Sequence, residues 1–289
     1  MTRFLRCCGI VLFATVSICA AQTPAAAQET EARKVLRVLF IGNSYTYVNN
    51  LPDIIAGIAA ADPESAIIVP TLATRGGATL RWHLDNGPAV KMLDSGKWDF
   101  VVLQEQSTLS GKEADGKIAL GEHGPFHASV RDWVKRIRAT GATPILFMTW
   151  ARRNEPAIAG MQQGLADAYD MIGRELGVAV APVGLAWGET RRRLQSFDLH
   201  MWDASHPSSA GSYLTGLILY STLTGRSPLG APNVIQGRPT VSGVEGMMAV
   251  DPTVKVPLVD LSLPTAIALQ EAAASIIARR TPAAISRQR

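Results

Sequence analysis

Apolar and polar positions along this chain fall into short runs that alternate between two periodicities. Residues 35–41 are a run of β-branched and apolar side chains that stops at Gly42-Asn43-Ser44, and helical apolar spacing occupies 51–61. This pattern predicts a strand, a tight turn and a helix. A second strand is predicted over 66–72, where Pro70 favours a sheet edge, and Thr74-Arg75-Gly76-Gly77-Ala78 turns behind it. Residues 80–95 have helical spacing, and 98–104 read as a buried third strand whose end, Gln104-Glu105-Gln106-Ser107, is abruptly polar. A charged, glycine-bearing loop over 108–124 has the length of a lid or binding loop. An amphipathic helix follows over 125–140, then a fourth strand over 144–150, a helix over 155–176 and a fifth strand over 178–183. Helices are predicted over 185–194, 208–223 and 262–280, whereas 225–257 is rich in proline and glycine with weak periodicity. Strands alternating with helices predict an α/β fold with a doubly wound parallel sheet, in a single domain over 35–280.

Composition narrows the class. With 289 residues, 47% of them hydrophobic, the chain can bury one substantial core. The formal net charge of +4 is modest, and the basic residues are scattered apart from Arg191-Arg192-Arg193, which reads as a solvated helix end. No nucleic-acid groove is expected. Arg3 and Arg6 precede an apolar run over 10–21 and then Pro24-Ala25-Ala26-Ala27, the pattern of a secretory signal over 1–27 cleaved after Ala27. A disordered lead over 28–34, a flexible tail over 281–289 and a periplasmic or secreted location are expected with it. No later segment has about 18 uninterrupted apolar residues, so no integral membrane span is expected in the mature chain. Cys19 raises lipid attachment, but Ile18 stands where a lipoprotein signal wants a small residue, and plain export is the expectation. Cys7, Cys8 and Cys19 all lie in the signal, so a chain cut there has no disulfide, thiol nucleophile or cysteine-based metal site.

Two stretches carry chemistry. Ser44 follows the first strand, where open α/β sheets place ligands and the next helix aims its amides, although serine there also serves as a helix cap. Asp203-Ala204-Ser205-His206-Pro207 puts an aspartate three residues before a histidine, so the carboxylate can hold one imidazole nitrogen and leave the other to take a proton from a serine. Asn43, Trp150 and Arg152, at strand or turn ends, are candidates for touching substrate. His123 and His127 have the spacing of a metal pair, but Gly124-Pro125 is expected to break a common helix and Glu122 has no matching spacing. No metal site is expected.

On these residues the chain resembles the SGNH hydrolases, or GDSL-type esterases, whose blocks run Gly-Asp-Ser, a glycine, Gly-x-Asn-Asp and Asp-x-x-His-Pro. Gly42-Asn43-Ser44 answers the first block, Gly76 or Gly77 the second, and Asp203 with His206 the last, which continues Pro207-Ser208-Ser209-Ala210-Gly211-Ser212-Tyr213. Asn43 replaces the aspartate of the first block, and the third block has glutamines where the family has asparagine. A subgroup with Gly-Asn-Ser and a glutamine-rich third block is the closer likeness. Thr46 stands where the lipase elbow needs its second glycine, so that motif is absent. The resemblance implies a flavodoxin-like three-layer α/β/α fold with a five-stranded sheet and an esterase that needs no cofactor. Ser44 would be nucleophile, His206 base and Asp203 its orienting acid, with an oxyanion hole made by the amides of Ser44 and Gly76 or Gly77 and one glutamine side chain. Gln104 and Gln106 share parity in an extended strand, and alignment on Gly-x-Asn-Asp gives Gln106 the asparagine slot, with Gln104 as the alternative. The implied partner is a small-molecule or glycan ester, O-acetylated carbohydrate first and lipid or short-chain esters next. Acyl transfer to sugar hydroxyls uses the same residues, and a weakened, carbohydrate-binding protein is the alternative from another class. Oligomeric state is not indicated.

Overall fold

The computed structural model describes residues 32–280 apart from 112, 115–116, 154–157 and 195–196. The signal over 1–27 with its cysteines, most of the expected lead and the tail over 281–289 lie outside the described residues. Five strands, β1 (Val35–Gly42), β2 (Ile67–Thr74), β3 (Phe100–Leu103), β4 (Thr143–Phe147) and β5 (Ala179–Ala181), form one all-parallel sheet in the order β2-β1-β3-β4-β5. This is the flavodoxin-like order, with the topological switch point between β1 and β3.

The unbroken apolar runs follow from burial on both faces of the sheet. From β1, Leu36, Val38 and Phe40 pack into one core with α1 (Leu51–Ala61), α6 (Val183–Arg193), α7 (Ser209–Thr224) and α8 (Leu263–Arg280). Leu39 and Ile41 point the other way, into a second core with α2 (Leu80–Asn86), α3 (Pro88–Ser95), α4 (His123–Ala139) and α5 (Ile158–Leu176). Pro70 sits on the edge strand β2, where its missing amide costs no ladder bond on the open side.

Several boundaries differ from the sequence reading for identifiable reasons. The helical stretch 80–95 is two helices, because Gly87 takes a left-handed φ of 85° and Pro88 starts afresh. Gly124-Pro125 does not break α4 but lies in its first turn, where a proline lacks only an amide that would go unpaired, so His123 and His127 share one helix. Strand β3 stops at Leu103, so the polar residues after it are not extended. The weakly periodic 225–257 stretch contains β6 (Val234–Gly237), antiparallel to β9 (Val256–Asp260), and a hairpin of β7 (Thr240–Ser242) with β8 (Met248–Val250). The hairpin leans on the carboxyl end of β2 through a bridge between Arg75 and Met247 and on the Ser44 turn through Thr240 Oγ1, which donates to the Tyr47 carbonyl. No helix among the described residues is long and apolar enough to cross a membrane.

Candidate active site

The turn after β1 is held by buried amides. Gly42 is required by close approach, since a Cβ there would stand 2.6 Å from Gln104 Oε1. Its carbonyl accepts from His83 Nε2 at 2.8 Å and from the Arg75 amide at 3.2 Å. Burial pushes the His83 pKa down to about 4, with the Gly42 carbonyl opposing and Arg75 assisting, so its imidazole is neutral. The Asn43 amide donates to Gln104 Oε1 at 2.9 Å, and Asn43 Oδ1 accepts from the Tyr45 amide, capping the single helical turn Ser44–Tyr47. Asn43 Nδ2 donates to the Ala78 carbonyl at 2.9 Å and so fastens this turn to the one after β2.

Ser44 at the head of that turn meets the Asp203-His206 loop. Ser44 Oγ lies 2.8 Å from His206 Nε2, and His206 Nδ1 lies 2.5 Å from Asp203 Oδ2. A carboxylate can only accept, so Nδ1 carries the imidazole proton and Nε2 is left to accept from the serine hydroxyl. Asp203 Oδ1 accepts from the amides of Ser205 and His206 at 3.0 and 2.9 Å. Partial burial pushes the Asp203 carboxyl up, but the His206 ring and the two amides outweigh it and hold the pKa down at about 2. The loop closes because Ala204 takes a φ of 60°, while the Met201 amide donates to the His206 carbonyl at 2.7 Å and the Arg153 amide to the Ala204 carbonyl at 2.9 Å.

An aromatic column joins nucleophile and base. Tyr45, Trp150 and Trp187 stack in parallel, with centroid separations of 4.4 and 4.0 Å, and His200 packs edge-on against Trp187. Trp150 Nε1 donates to the Ser205 carbonyl at 3.0 Å, the Tyr45 hydroxyl is hydrogen-bonded to Ser205 Oγ at 2.8 Å, and His200 Nε2 donates to the Ala151 carbonyl at 3.1 Å. Tyr45, Trp187 and His200 carry no site signal in the sequence; their packing around Trp150 gives them a place in the site.

Around Ser44 opens a cleft of about 230 Å³, lined also by Asn43, Tyr45, Gly77, Gln106, Ser107, Arg152, Ser205 and His206. Gly77 stands there with a φ of 68°. No hydrogen bond among the described residues takes up the Ser44 or Gly77 amide. Gln106 Oε1 accepts from the Thr108 amide and hydroxyl and the Ser110 amide, and this fixes the side chain against the loop while its Nε2 stays uncommitted among the described residues. Arg152 Nη2 donates to Ser107 Oγ at 3.3 Å.

Four expectations are corrected here. Gln104 is fully buried beneath the Ser44 turn, where Oε1 accepts from Asn43 and Thr46 and Nε2 donates to Asn43 Oδ1, so it supports the turn and does not reach the cleft. Gly76 does not line the cleft; Gly77 does. Trp150 is 1% exposed and closed between two rings, so it cannot touch a substrate. The Asn43 side chain borders the cleft with all of its amide atoms engaged in holding the turn. His127 Nε2 donates to the Ala168 carbonyl at 2.8 Å, a structural contact. Trp202, on which the sequence reading made no comment, is 87% exposed and directly precedes Asp203. That adjacency is visible in sequence, but the exposure is not.

No family model matches this chain, and no curated protein matches its sequence. Solved structures do match. A protein described as an SGNH hydrolase from Slackia heliotrinireducens is 27% identical, over 66% of this chain and 100% of its own, with a TM-score of 0.52. A DUF4886 family protein from Bacteroides uniformis covers 85% of this chain and 95% of its own at 19% identity, with a TM-score of 0.60. An acetylxylan esterase from Geobacillus stearothermophilus shares the fold over 66% of this chain and 93% of its own at 16% identity, with a TM-score of 0.50.

Proposed function

The chain belongs to the SGNH hydrolase superfamily, and we propose that it is an exported serine esterase that removes short acyl groups, O-acetyl groups on carbohydrate above all. The observation that carries this reading is the unbroken hydrogen-bonded line from Asp203 through His206 to Ser44 at the mouth of a small cleft. Ser44 Oγ attacks the ester carbonyl as His206 Nε2 takes its proton, and Asp203 keeps the imidazolium oriented and balanced. The amides of Ser44 and Gly77 and the Nε2 of Gln106 border the place where the carbonyl oxygen becomes negative, and donors set there in advance stabilise the tetrahedral state. His206 then returns the proton to the leaving alcohol, and a water molecule repeats the steps to release the acid. The glutamine-rich third block supports a Gly-Asn-Ser subgroup in which Gln106 would do the work of the asparagine.

The acetylated-carbohydrate reading rests on the shared fold of the acetylxylan esterase and on the exposed Trp202 beside the base loop. Export rests on the signal pattern over 1–27. Chromogenic esters of increasing acyl length and acetylated xylan, each given to the wild type and to Ser44→Ala, test the reaction. Acetate release by the wild type alone is expected, and turnover that survives in Ser44→Ala refutes the reading. Intact-mass analysis of the protein secreted by its native host should give a chain starting at Gln28; a mature species that keeps Cys19 refutes cleavage after Ala27.

A further inference from the structure

Glu105 has no part in the acyl chemistry, yet its side chain is 3% exposed, two residues beyond the end of the central strand β3. Its carboxylate accepts from two segments at once. The Gln106 amide donates to Oε1 at 2.6 Å, and the Leu80 amide reaches both oxygens at 3.4 and 3.2 Å. Leu80 ends the turn that carries Gly77, and Gln106 is the glutamine of the cleft. The two proposed oxyanion donors that do not belong to the nucleophile turn are therefore tied to each other through one buried acid.

Burying an acid without a cation is costly, and such a group survives where it has a task. Among the described residues no arginine or lysine hydrogen-bonds this carboxylate. The titratable groups around it are committed elsewhere. From α5 the Tyr169 hydroxyl meets the Glu105 amide at 3.3 Å, from α2 the His83 ring holds the Gly42 carbonyl, and from α4 the His127 ring holds the Ala168 carbonyl. Arg152, at the end of β4, reaches Ser107 two residues further on. Strand β1 and its turn present the uncharged Asn43 and Thr46 to Gln104. We propose that Glu105 is a positioning residue whose carboxylate form clamps the Gly77 turn to Gln106, so that its ionisation sets the geometry of the oxyanion pocket. The inference rests on the esterase reading for its kinetic consequence, and on the hydrogen bonds alone for the clamp.

Two backbone amides both need an acceptor, and the ionised acid offers full acceptors on both oxygens. A proton on Oε2, or the amide of a glutamine there, leaves Oε1 alone for both amides and faces the Leu80 amide with a donor at its shorter contact. Burial pushes the Glu105 pKa up to about 7, against the two amides that lower it, so the clamp changes state within the working range of a histidine base. The Glu105→Gln variant stands for the protonated form, keeping size and shape.

The test has two arms on the full chain. In wild type, the backbone amide signals of Leu80 and Gln106, followed by NMR from about pH 5 to about pH 9, should shift together with one midpoint, and in Glu105→Gln neither should shift at that midpoint. On a chromogenic acetyl ester, Glu105→Gln should lower kcat by about tenfold above pH 8 and leave KM within about twofold, with one ionisation missing from the acid limb of the rate profile. A residue that only supports the fold would lower the melting temperature and leave the shape of the profile unchanged. Amides that titrate apart or not at all overturn the clamp, and an unchanged kcat in Glu105→Gln overturns its role in the pocket. If wild type and Ser44→Ala alike fail to cleave any ester, the esterase reading falls and the amide titration alone decides the clamp.

Discussion

The ring of Tyr45, the residue after the serine, lies 4.4 Å from that of Trp150 and within 4° of parallel to it. Trp150 in turn donates its indole N–H to the Ser205 carbonyl, next to His206. The nucleophile turn and the base loop, 162 residues apart in sequence, are thus registered through one buried indole. Trp150→Phe keeps a stacked ring but leaves the Ser205 carbonyl without its donor, an unmade bond that costs about 1–3 kcal/mol. We expect this variant to fold with a lowered melting temperature and a reduced kcat, and Trp150→Ala to lose about 3–5 kcal/mol in denaturant unfolding through the cavity it leaves. A Trp150→Phe enzyme with unchanged kcat would show that the column only fills space.

Ser44, His206 and Asp203 form one line of bonds and should behave as a unit. Ser44→Ala and His206→Ala should each lower kcat by about 10³ or more, and the double variant should lose little beyond either. Asp203→Asn should leave a small residual rate, since the histidine keeps its place but not its preferred tautomer. Steady-state rates on one ester decide the matter; losses that multiply in the double variant contradict a single proton-transfer line.

Much of this was legible because the decisive signals were local. The run ending at Gly42-Asn43-Ser44 and the Asp-x-x-His spacing are features of neighbouring residues, and the structure brings those segments within hydrogen-bond distance. Whole strands could be read because burial on both faces makes them continuously apolar. What sequence could not supply was the point at which β3 ends. Parity treats Gln104 and Gln106 as equivalents on an extended strand, whereas the chain turns after Leu103 and sends Gln104 under the Ser44 turn. Trp150 was misread for a related reason: a strand-end aromatic is a cleft residue or a packing residue according to partners from α6 and the Ser44 turn, and no short-range pattern encodes them.

The two glutamines should therefore separate by experiment. Gln106→Ala should lower kcat by about 10² to 10³ with KM nearly unchanged, because the lost donor acts on charge present only in the transition state. Gln104→Ala removes the acceptor of the Asn43 amide and the Thr46 hydroxyl, both buried, and should chiefly lower stability, by about 1–3 kcal/mol for each group left unpaired. Kinetics and chemical denaturation on both variants give the answer, and a Gln104→Ala enzyme of normal stability with a collapsed kcat would reverse the roles.

Trp202 offers a way to distinguish a sugar ester from a simple one. An indole 87% exposed immediately before Asp203 leaves a flat apolar face open to solvent next to the base loop. Aromatic faces recognise the apolar side of a pyranose ring, so Trp202→Ala should raise KM for acetylated xylan by about tenfold, a loss of about 1.4 kcal/mol, while a small chromogenic acetate is unaffected. Equal effects on both substrates would remove the tryptophan from sugar recognition.

The pH dependence of stability follows from three buried groups with opposing signs. Burial lowers His83 from its ordinary 6.5 to about 4, and His200 likewise to about 4, with nearby arginines assisting in both cases. The unfolded chain then binds protons that the folded one refuses, so each histidine's contribution is complete above pH 6.5 and is lost as pH falls toward 4. Glu105 acts the other way: its pKa is raised from 4.5 to about 7, so its contribution is complete below 4.5 and is lost as pH rises to about 7. Two histidines against one acid leave a net gain in stability from about pH 4 to about pH 6.5, on the order of 3 kcal/mol. Thermal unfolding across that range should show the melting temperature rising with pH. The rise should be shallower in His83→Gln, which removes one histidine's share, and steeper in Glu105→Gln, which removes the opposing acid. A melting temperature that falls between those pH values would mean that the buried acid outweighs both imidazoles.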